Sequence, residues 1–355
     1  MRENIMEHSE ESVFGKQRLK LVREVFNVET EDGQTLVMVR KRAAPLKRKK
    51  GAPVVLLHGL GQNRFSWHLS KMSLANYLAG RGMDVYIPEL RGHGLSRMAG
   101  SDHPRSFSEY VFRDVPALLR TIRKKTNQRK IFLCGHSLGG TIAYALNPSE
   151  QEHLGGIITI GGPSHFGRGM VLLKAISIYL YLAHRITPLR AIDLFNERTP
   201  FPVDWIGRLM HLGLGLFDSH ANPIPYTIWY PGSMDPEVLE ERILKGFDRT
   251  SLEVVKQMIL WAAKGRFCNE DGEEIYERNM RAKDLPVLFI LGDRDSSVPE
   301  SSVRPAYDAM PSADKTWKVF NRQDNRVHWG HCDMIFGREA PAEVWPYLAR
   351  WIEQR

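Results

Sequence analysis

Five consecutive residues, Gly135-His136-Ser137-Leu138-Gly139, have the types and spacing to do nucleophilic chemistry. A serine hydroxyl attacks a carbonyl only when it is exposed, close to a base and faced by donors for the resulting oxyanion. The bare pattern G-x-S-x-G arises by chance in a chain of this length about one time in ten, so its setting decides its weight. Ser137 follows the apolar run Ile131-Phe132-Leu133-Cys134 and precedes the small residues Gly139-Gly140-Thr141. That order predicts a strand, a tight hinge and a helix start, with Ser137 strained at the hinge and its Oγ at the positive helix end. Gly135 and Gly139 suit the hinge because a Cβ at either position would clash across it. The competing reading, a glycine turn with an incidental serine, does not explain the strand before it or the helix after it.

The base that such a serine needs is expected in a late loop. Val327-His328-Trp329-Gly330-His331-Cys332-Asp333 offers His328 and His331. Gly330 favours His331, because it frees the loop to turn that imidazole toward Ser137. Isolated histidines such as His153 and His184 are more often structural. A carboxylate must fix the imidazole tautomer. Asp293 and Asp295, in Leu291-Gly292-Asp293-Arg294-Asp295, both qualify by position, just past a buried strand where catalytic groups collect in open α/β sheets. For the oxyanion, the amide of Leu138 is one expected donor. The amide of Leu60, in His58-Gly59-Leu60-Gly61-Gln62-Asn63, is the other. An ordinary glycine turn is the plainer reading of that loop, but it lies at the same sheet edge as Ser137.

The elements that must hold these groups alternate between strand and helix, which predicts a mostly parallel sheet covered by helices. Eight strands are expected: Leu19–Val28, Thr35–Lys41, Pro53–Leu57, Asp84–Ile87, Ile131–Cys134, Gly156–Ile160, Pro286–Leu291 and Thr316–Phe320. The first two flank the turn Asp32-Gly33. Helices are expected over Trp67–Gly80, Ser108–Thr126, Leu138–Leu146, Ser301–Met310 and Ala342–Glu353. About 120 residues separate Ile160 from Val287, far more than a crossover helix requires. Residues 163–284 are therefore expected to form an inserted, mainly helical cap, between core segments 1–162 and 285–355. Within it, Thr250-x-x-Glu253 reads as a capping box with Gly265 as the stop. Asp235-Pro236 reads as the cap of a helix over Glu237–Lys245. Val171–Ala183 is apolar nearly all round, making Leu172, Ile176 and Tyr179 candidates to line an acyl pocket.

The 355 residues are 43% hydrophobic and 25% charged, as in an ordinary globular protein. The net charge of +8 gathers in Arg40-Lys41-Arg42 with Lys47–Lys50, and from Arg120 to Lys130. Such runs are usually solvated loops and helix ends; attraction to an anionic membrane surface is the sharper reading. Nucleic-acid binding has charge but no motif behind it. Cys134, Cys268 and Cys332 have no metal-type or disulfide-type spacing. With neither a secretory h-region nor an apolar run of about 18 residues, a cytoplasmic setting is expected. The chemistry calls for no metal or organic cofactor, and its substrate would be a small-molecule ester.

His58-Gly59-Leu60-Gly61, Leu90-Arg91-Gly92-His93-Gly94-Leu95-Ser96, Gly135-His136-Ser137-Leu138-Gly139-Gly140, Gly292-x-x-Asp295-x-x-Val298-Pro299 and Gly330-His331 resemble, in order, five landmark motifs of the α/β-hydrolase superfamily. They span about two-thirds of the chain. The resemblance implies an α/β-hydrolase fold and a Ser137–His331–Asp295 triad. It selects Asp295 over Asp293 and supports His331. It also implies that the Arg91–Gly94 turn is structural and that His58 and His136 merely flank the site. The chain is most similar to the lipase, esterase and lysophospholipase-like group, and His331–Gly337 looks like the corresponding segment of acid lipases. Ser137 separates it from relatives with a nucleophilic aspartate, the haloalkane dehalogenases and epoxide hydrolases, and disfavours the cysteine-dependent polyester synthases. The implied activity is carboxylic ester cleavage. An acyltransferase or thioesterase with the same triad is the alternative, and a non-catalytic binding protein on this fold is an alternative of another class.

Overall fold

The computed structural model describes residues 5–45, 51–128, 130–169, 174–175, 177–179, 200–222 and 228–355. Its centre is a nine-stranded sheet: β1 Ile5–Phe14, β2 Gln17–Glu29, β3 Thr35–Ala43, β4 Pro53–Leu57, β5 Asp84–Glu89, β6 Ile131–His136, β7 Leu154–Ile160, β8 Val287–Gly292 and β9 Lys315–Phe320. The strands lie in the order β1-β2-β3-β5-β4-β6-β7-β8-β9. The first four in that order pair antiparallel, and from β5 onward every pairing is parallel. All eight expected strands are present, and β1 is added outside them.

The sheet has a core on each face because its central strands are apolar at every position. On β4, Val55 and Leu57 join one cluster while Val54 and Leu56 join the other; Phe289 and Leu288 divide the same way on β8. The principal helices are α1 Leu74–Gly80, α2 Val115–Thr126, α3 Leu138–Ala145, α4 Val203–Leu212, α5 Pro236–Gly246, α6 Leu252–Lys264, α7 Ile275–Arg281, α8 Glu300–Ala309 and α9 Val344–Glu353. The helix expected from Trp67 starts only at α1, because Ser73 caps it there, its Oγ accepting the Asn76 N–H at 3.0 Å.

Three local expectations are corrected. The Arg40–Lys41 pair is not a solvated loop, for both side chains are buried. Arg40 forks onto Asp84, with Nε–Oδ1 at 2.8 Å and Nη2–Oδ2 at 2.6 Å, and also reaches Glu24. Lys41 meets Glu11 and Asn76, and it is the unexpected strand β1 that brings Glu11 over it. Ser251, not Thr250, caps α6, with its Oγ accepting from the Val254 N–H at 3.2 Å. Asp235 precedes α5 without capping it, because its carboxylate accepts from Arg338 Nε instead. Gly265 does close α6 in the left-handed conformation, φ +66°.

The segment between β7 and β8 contributes α4 to α7 among the described residues. Leu172 and Ile176 lie outside the described residues, whereas Tyr179 is described and is 70% exposed.

Candidate active site

Ser137 stands between β6 and α3 with φ +53° and ψ −119°, a left-handed backbone that a residue with a Cβ adopts only under constraint. The constraint is visible in the neighbouring glycines. A Cβ on Gly135 would collide with the backbone of Gly139, and one on Gly139 with the Leu57 carbonyl. The Ser137 N–H donates to Ile160 O at 2.9 Å, tying the hinge to the end of β7. Leu138 is the first residue of α3, so its amide has no acceptor within the helix.

The loop His58–Asn63 lies against this hinge. A Cβ built on Gly59 would stand 3.1 Å from Ser137 Cβ, which places the Leu60 loop beside the serine. Gln62, singled out by no sequence signal, braces that loop: its Oε1 accepts from the Gly59 N–H at 3.3 Å and from Ser66 Oγ at 2.7 Å. Residues from the β7–β8 segment brace it from outside. Asp248 N–H donates to Gly61 O at 2.8 Å, Asn63 Nδ2 donates to Lys245 O at 2.8 Å, and Gly94 N–H donates to Asp248 Oδ2 at 2.7 Å. Neither Asp248 nor Lys245 carries a local motif, so their role is legible only in three dimensions.

Two histidines and two aspartates were open by spacing, and they form two separate pairs. His331 Nδ1–H donates to Asp295 Oδ2 at 2.7 Å, and His328 Nδ1 meets Asp293 Oδ2 at 2.6 Å. Only the first pair touches the surroundings of Ser137. The His331 ring lies 4.4 Å from that of His136, whose Nε2–H donates to His331 O at 3.2 Å. A Cβ on Gly161, next to the Ile160 that holds Ser137, would stand 2.8 Å from His331 Nδ1 and 3.0 Å from Asp295 Oδ2. Asp295 is fixed further by the Val298 N–H, 2.7 Å from its Oδ1. The His328–Asp293 pair is more exposed and packs against Tyr230.

The other histidines near the site are neutral scaffolding. Burial pushes His58 down to about 4, and it pushes His93 and His136 well below the usual imidazole range. His58 Nδ1–H donates to Gly59 O while Nε2 accepts from the Leu90 N–H. His93 Nδ1–H donates to Arg91 O. Arg91 itself is buried against Asp114, Asp32 and Glu109, so the Arg91–Gly94 turn is a structural knot. Burial also raises Asp333 to about 7, and its Oδ2 accepts from the N–H groups of Gly330 and Tyr230, shaping the loop that carries His331. Among the described residues, no group of three or more His, Cys, Asp or Glu side chains is arranged to hold a metal ion.

Comparison with known proteins bears on the family and the fold. Residues 52–176 match the family model described as alpha/beta hydrolase fold. Lipase member M of Mus musculus is 35% identical to the chain, over 93% of this chain and 83% of its own length. The chain belongs to the α/β-hydrolase family. Within it, this hydrolase is of the lipase and esterase kind, a carboxylic ester hydrolase. It is also 24% identical to Poly(3-hydroxyalkanoate) polymerase subunit PhaC of Haloarcula marismortui, over 99% of this chain and 74% of that one. Among solved structures, the monoacylglycerol lipase of Paleococcus ferrophilus superposes with a TM-score of 0.56 at 18% identity, over 90% of this chain and 98% of that one, a likeness of fold.

Proposed function

We propose that this hydrolase cleaves carboxylic esters with hydrophobic acyl chains through a Ser137–His331–Asp295 triad. The observation that carries the reading is the strained Ser137 next to His136, whose ring lies 4.4 Å from the buried His331 imidazole that commits its Nδ1–H to Asp295. With Nδ1 engaged, Nε2 is the nitrogen left to take the Ser137 Oγ proton. Oγ then bonds to the acyl carbon, and the amides of Leu60 and Leu138 hold the oxyanion. The C–O bond to the alcohol breaks as Nε2–H returns its proton to the departing oxygen. Water, deprotonated by the same nitrogen, releases the acid and restores Ser137.

The cap in this reading is residues 163–284, with the core in 1–162 and 285–355. Its braces on Gly61 and Asn63 support that division. So does α4, which begins at Val203, within 2.7 Å of where a Gly61 Cβ would be. That helix exposes Trp205, Leu209 and Leu212, which favours a hydrophobic substrate and gives any lipid-surface contact an apolar route rather than a basic one. Leu172, Ile176 and Tyr179 stay in the acyl-pocket proposal as candidates, of which Tyr179 is 70% exposed. The three cysteines are free and buried, in keeping with a reducing, cytoplasmic setting.

A fluorophosphonate should label the protein covalently and fail to label Ser137→Ala. On p-nitrophenyl esters, activity should favour medium or longer acyl chains. An unlabelled wild-type protein would point to a binding scaffold, and an acetate-peaked profile would remove the hydrophobic pocket. The likeness to the polymerase subunit favours acyl transfer as the second reading. Product analysis with added alcohol or thiol separates the two, since a transferase would yield the new ester or thioester in place of free acid.

A further inference from the structure

A buried cation behind the active-site loops has no counter-charge among the described residues. Arg242, on α5, is 2% exposed, and its Nε, Nη1 and Nη2 are all buried with no oxygen or nitrogen acceptor among the described residues, the Cys332 thiol being the one side chain within hydrogen-bonding reach. The guanidinium lies near two rings, 5.3 Å from Phe247 and 5.9 Å from Phe336. Gly246 makes room for it, because a Cβ there would overlap Nη1. The carboxyl end of α5 supplies partial negative charge nearby but no acceptor.

A guanidinium does not escape burial by losing its proton, and an uncompensated charge in a protein interior is strongly unfavourable. No carboxylate is among the groups that stabilise this one; the group that does so is the Cys332 thiol. Burial pushes that thiol up to about 11, so it is protonated at neutral pH and is no anion. His58 and His136, the other titratable groups that feel Arg242, are neutral. A second donor in this region is also without an acceptor: Trp67 Nε1–H, on the ring packed edge-on against His136 at 6.3 Å.

From these groups we infer that Arg242 is the centre of a buried binding site for a small monovalent anion of the halide class. The surroundings set the class. One guanidinium and one indole N–H in otherwise apolar surroundings suit a singly charged, weakly hydrated ion such as bromide or chloride, and they offer too few donors for sulfate or phosphate. The site sits behind three working loops at once, since His58 opens the Leu60 loop, His136 precedes Ser137 and Cys332 follows His331. The inference does not depend on which ester, if any, the enzyme cleaves.

The test is thermal unfolding of the full chain in sodium bromide, with sodium gluconate holding ionic strength constant. The midpoint should rise by on the order of 2 °C per tenfold bromide above the dissociation constant, and the rise should vanish in Arg242→Met. Equal midpoints in both salts, or an unchanged bromide response in Arg242→Met, would overturn the site. Should Arg242→Met not fold, wild-type crystals grown in bromide decide the question by an anomalous peak at the guanidinium, whose absence overturns the site. A thiolate absorbance at neutral pH that disappears in Cys332→Ala would name Cys332 as the counter-charge and equally remove the anion.

Discussion

Asp295 Oδ2 receives the Nδ1–H of His331 at 2.7 Å, and both side chains are almost fully enclosed. The imidazole is thereby held in one tautomer. Asp295→Asn should keep the fold but let the ring take the other tautomer, lowering kcat by about 10³–10⁴-fold with KM little changed. Steady-state kinetics on a p-nitrophenyl ester checks this; a loss confined to KM would remove Asp295 from the triad.

The second pair makes the opposite forecast. His328 and Asp293 are bonded at 2.6 Å, and their hydrogen-bond and ring contacts among the described residues run to Trp329 and Tyr230 rather than to the groups around Ser137. His328→Ala should retain fluorophosphonate labelling and keep kcat within a factor of a few, while His331→Ala abolishes both. Equal losses in the two variants would reopen the choice of base.

Gly161 has φ +55° and faces the His331–Asp295 bond. An alanine there would be strained in its backbone and would push on Nδ1 from 2.8 Å. Gly161→Ala should lower kcat by about 10²-fold through displacement of the imidazole. Circular dichroism should show the secondary structure intact, with a lower unfolding midpoint.

Lys283 is buried beneath α7, where its ammonium donates to Leu146 O at 2.6 Å. Burial lowers it from 10.5 to about 7. Between those values the unfolded chain holds the proton and the folded chain does not, so unfolding takes up a proton and folding is favoured as pH rises. Below about 7 both states are protonated and the folded form bears the full penalty of the buried charge. Lys283→Met should flatten the rise in stability between pH 7 and 10.5, measured by urea denaturation; an unchanged slope would mean that the ammonium is solvated in the folded state.

What the sequence disclosed follows the physics of each element. The elbow was legible because strand, glycines and helix start are contiguous, and close backbone approach leaves glycine little substitute at Gly135 and Gly139. The acid and base were not fully legible from spacing, since Asp293/Asp295 and His328/His331 have the same two-residue offset and both pairs do form. Family likeness chose between them, and in the structure deeper burial and proximity to His136 and Gly161 distinguish the His331–Asp295 pair. Strand β1 was missed because Ile5–Phe14 is polar and largely exposed, an edge ribbon without an apolar face. That omission made Lys41 look solvated, whereas Arg40 is enclosed by Asp84 and Glu24 on strands the sequence does predict. The cap residue of α6 was misplaced by one position because Thr250 and Ser251 are adjacent and both can cap.

The hydrogen bonds from Asp248 to Gly61 and Gly94, and from Asn63 to Lys245, have a consequence for modularity. The five motifs occupy the portion of the chain that a protein engineer would regard as a self-sufficient chassis, with the β7–β8 segment as an exchangeable accessory. These bonds make that segment part of the frame holding the Leu60 loop. A chimera that exchanges the segment between relatives would have to carry the contact residues on both sides, Asp248 and Lys245 with the Gly61–Asn63 and Gly94 backbone. Recombination boundaries drawn at Ile160 and Val287 alone would leave the grafted piece attached but the loop beside Ser137 unsupported.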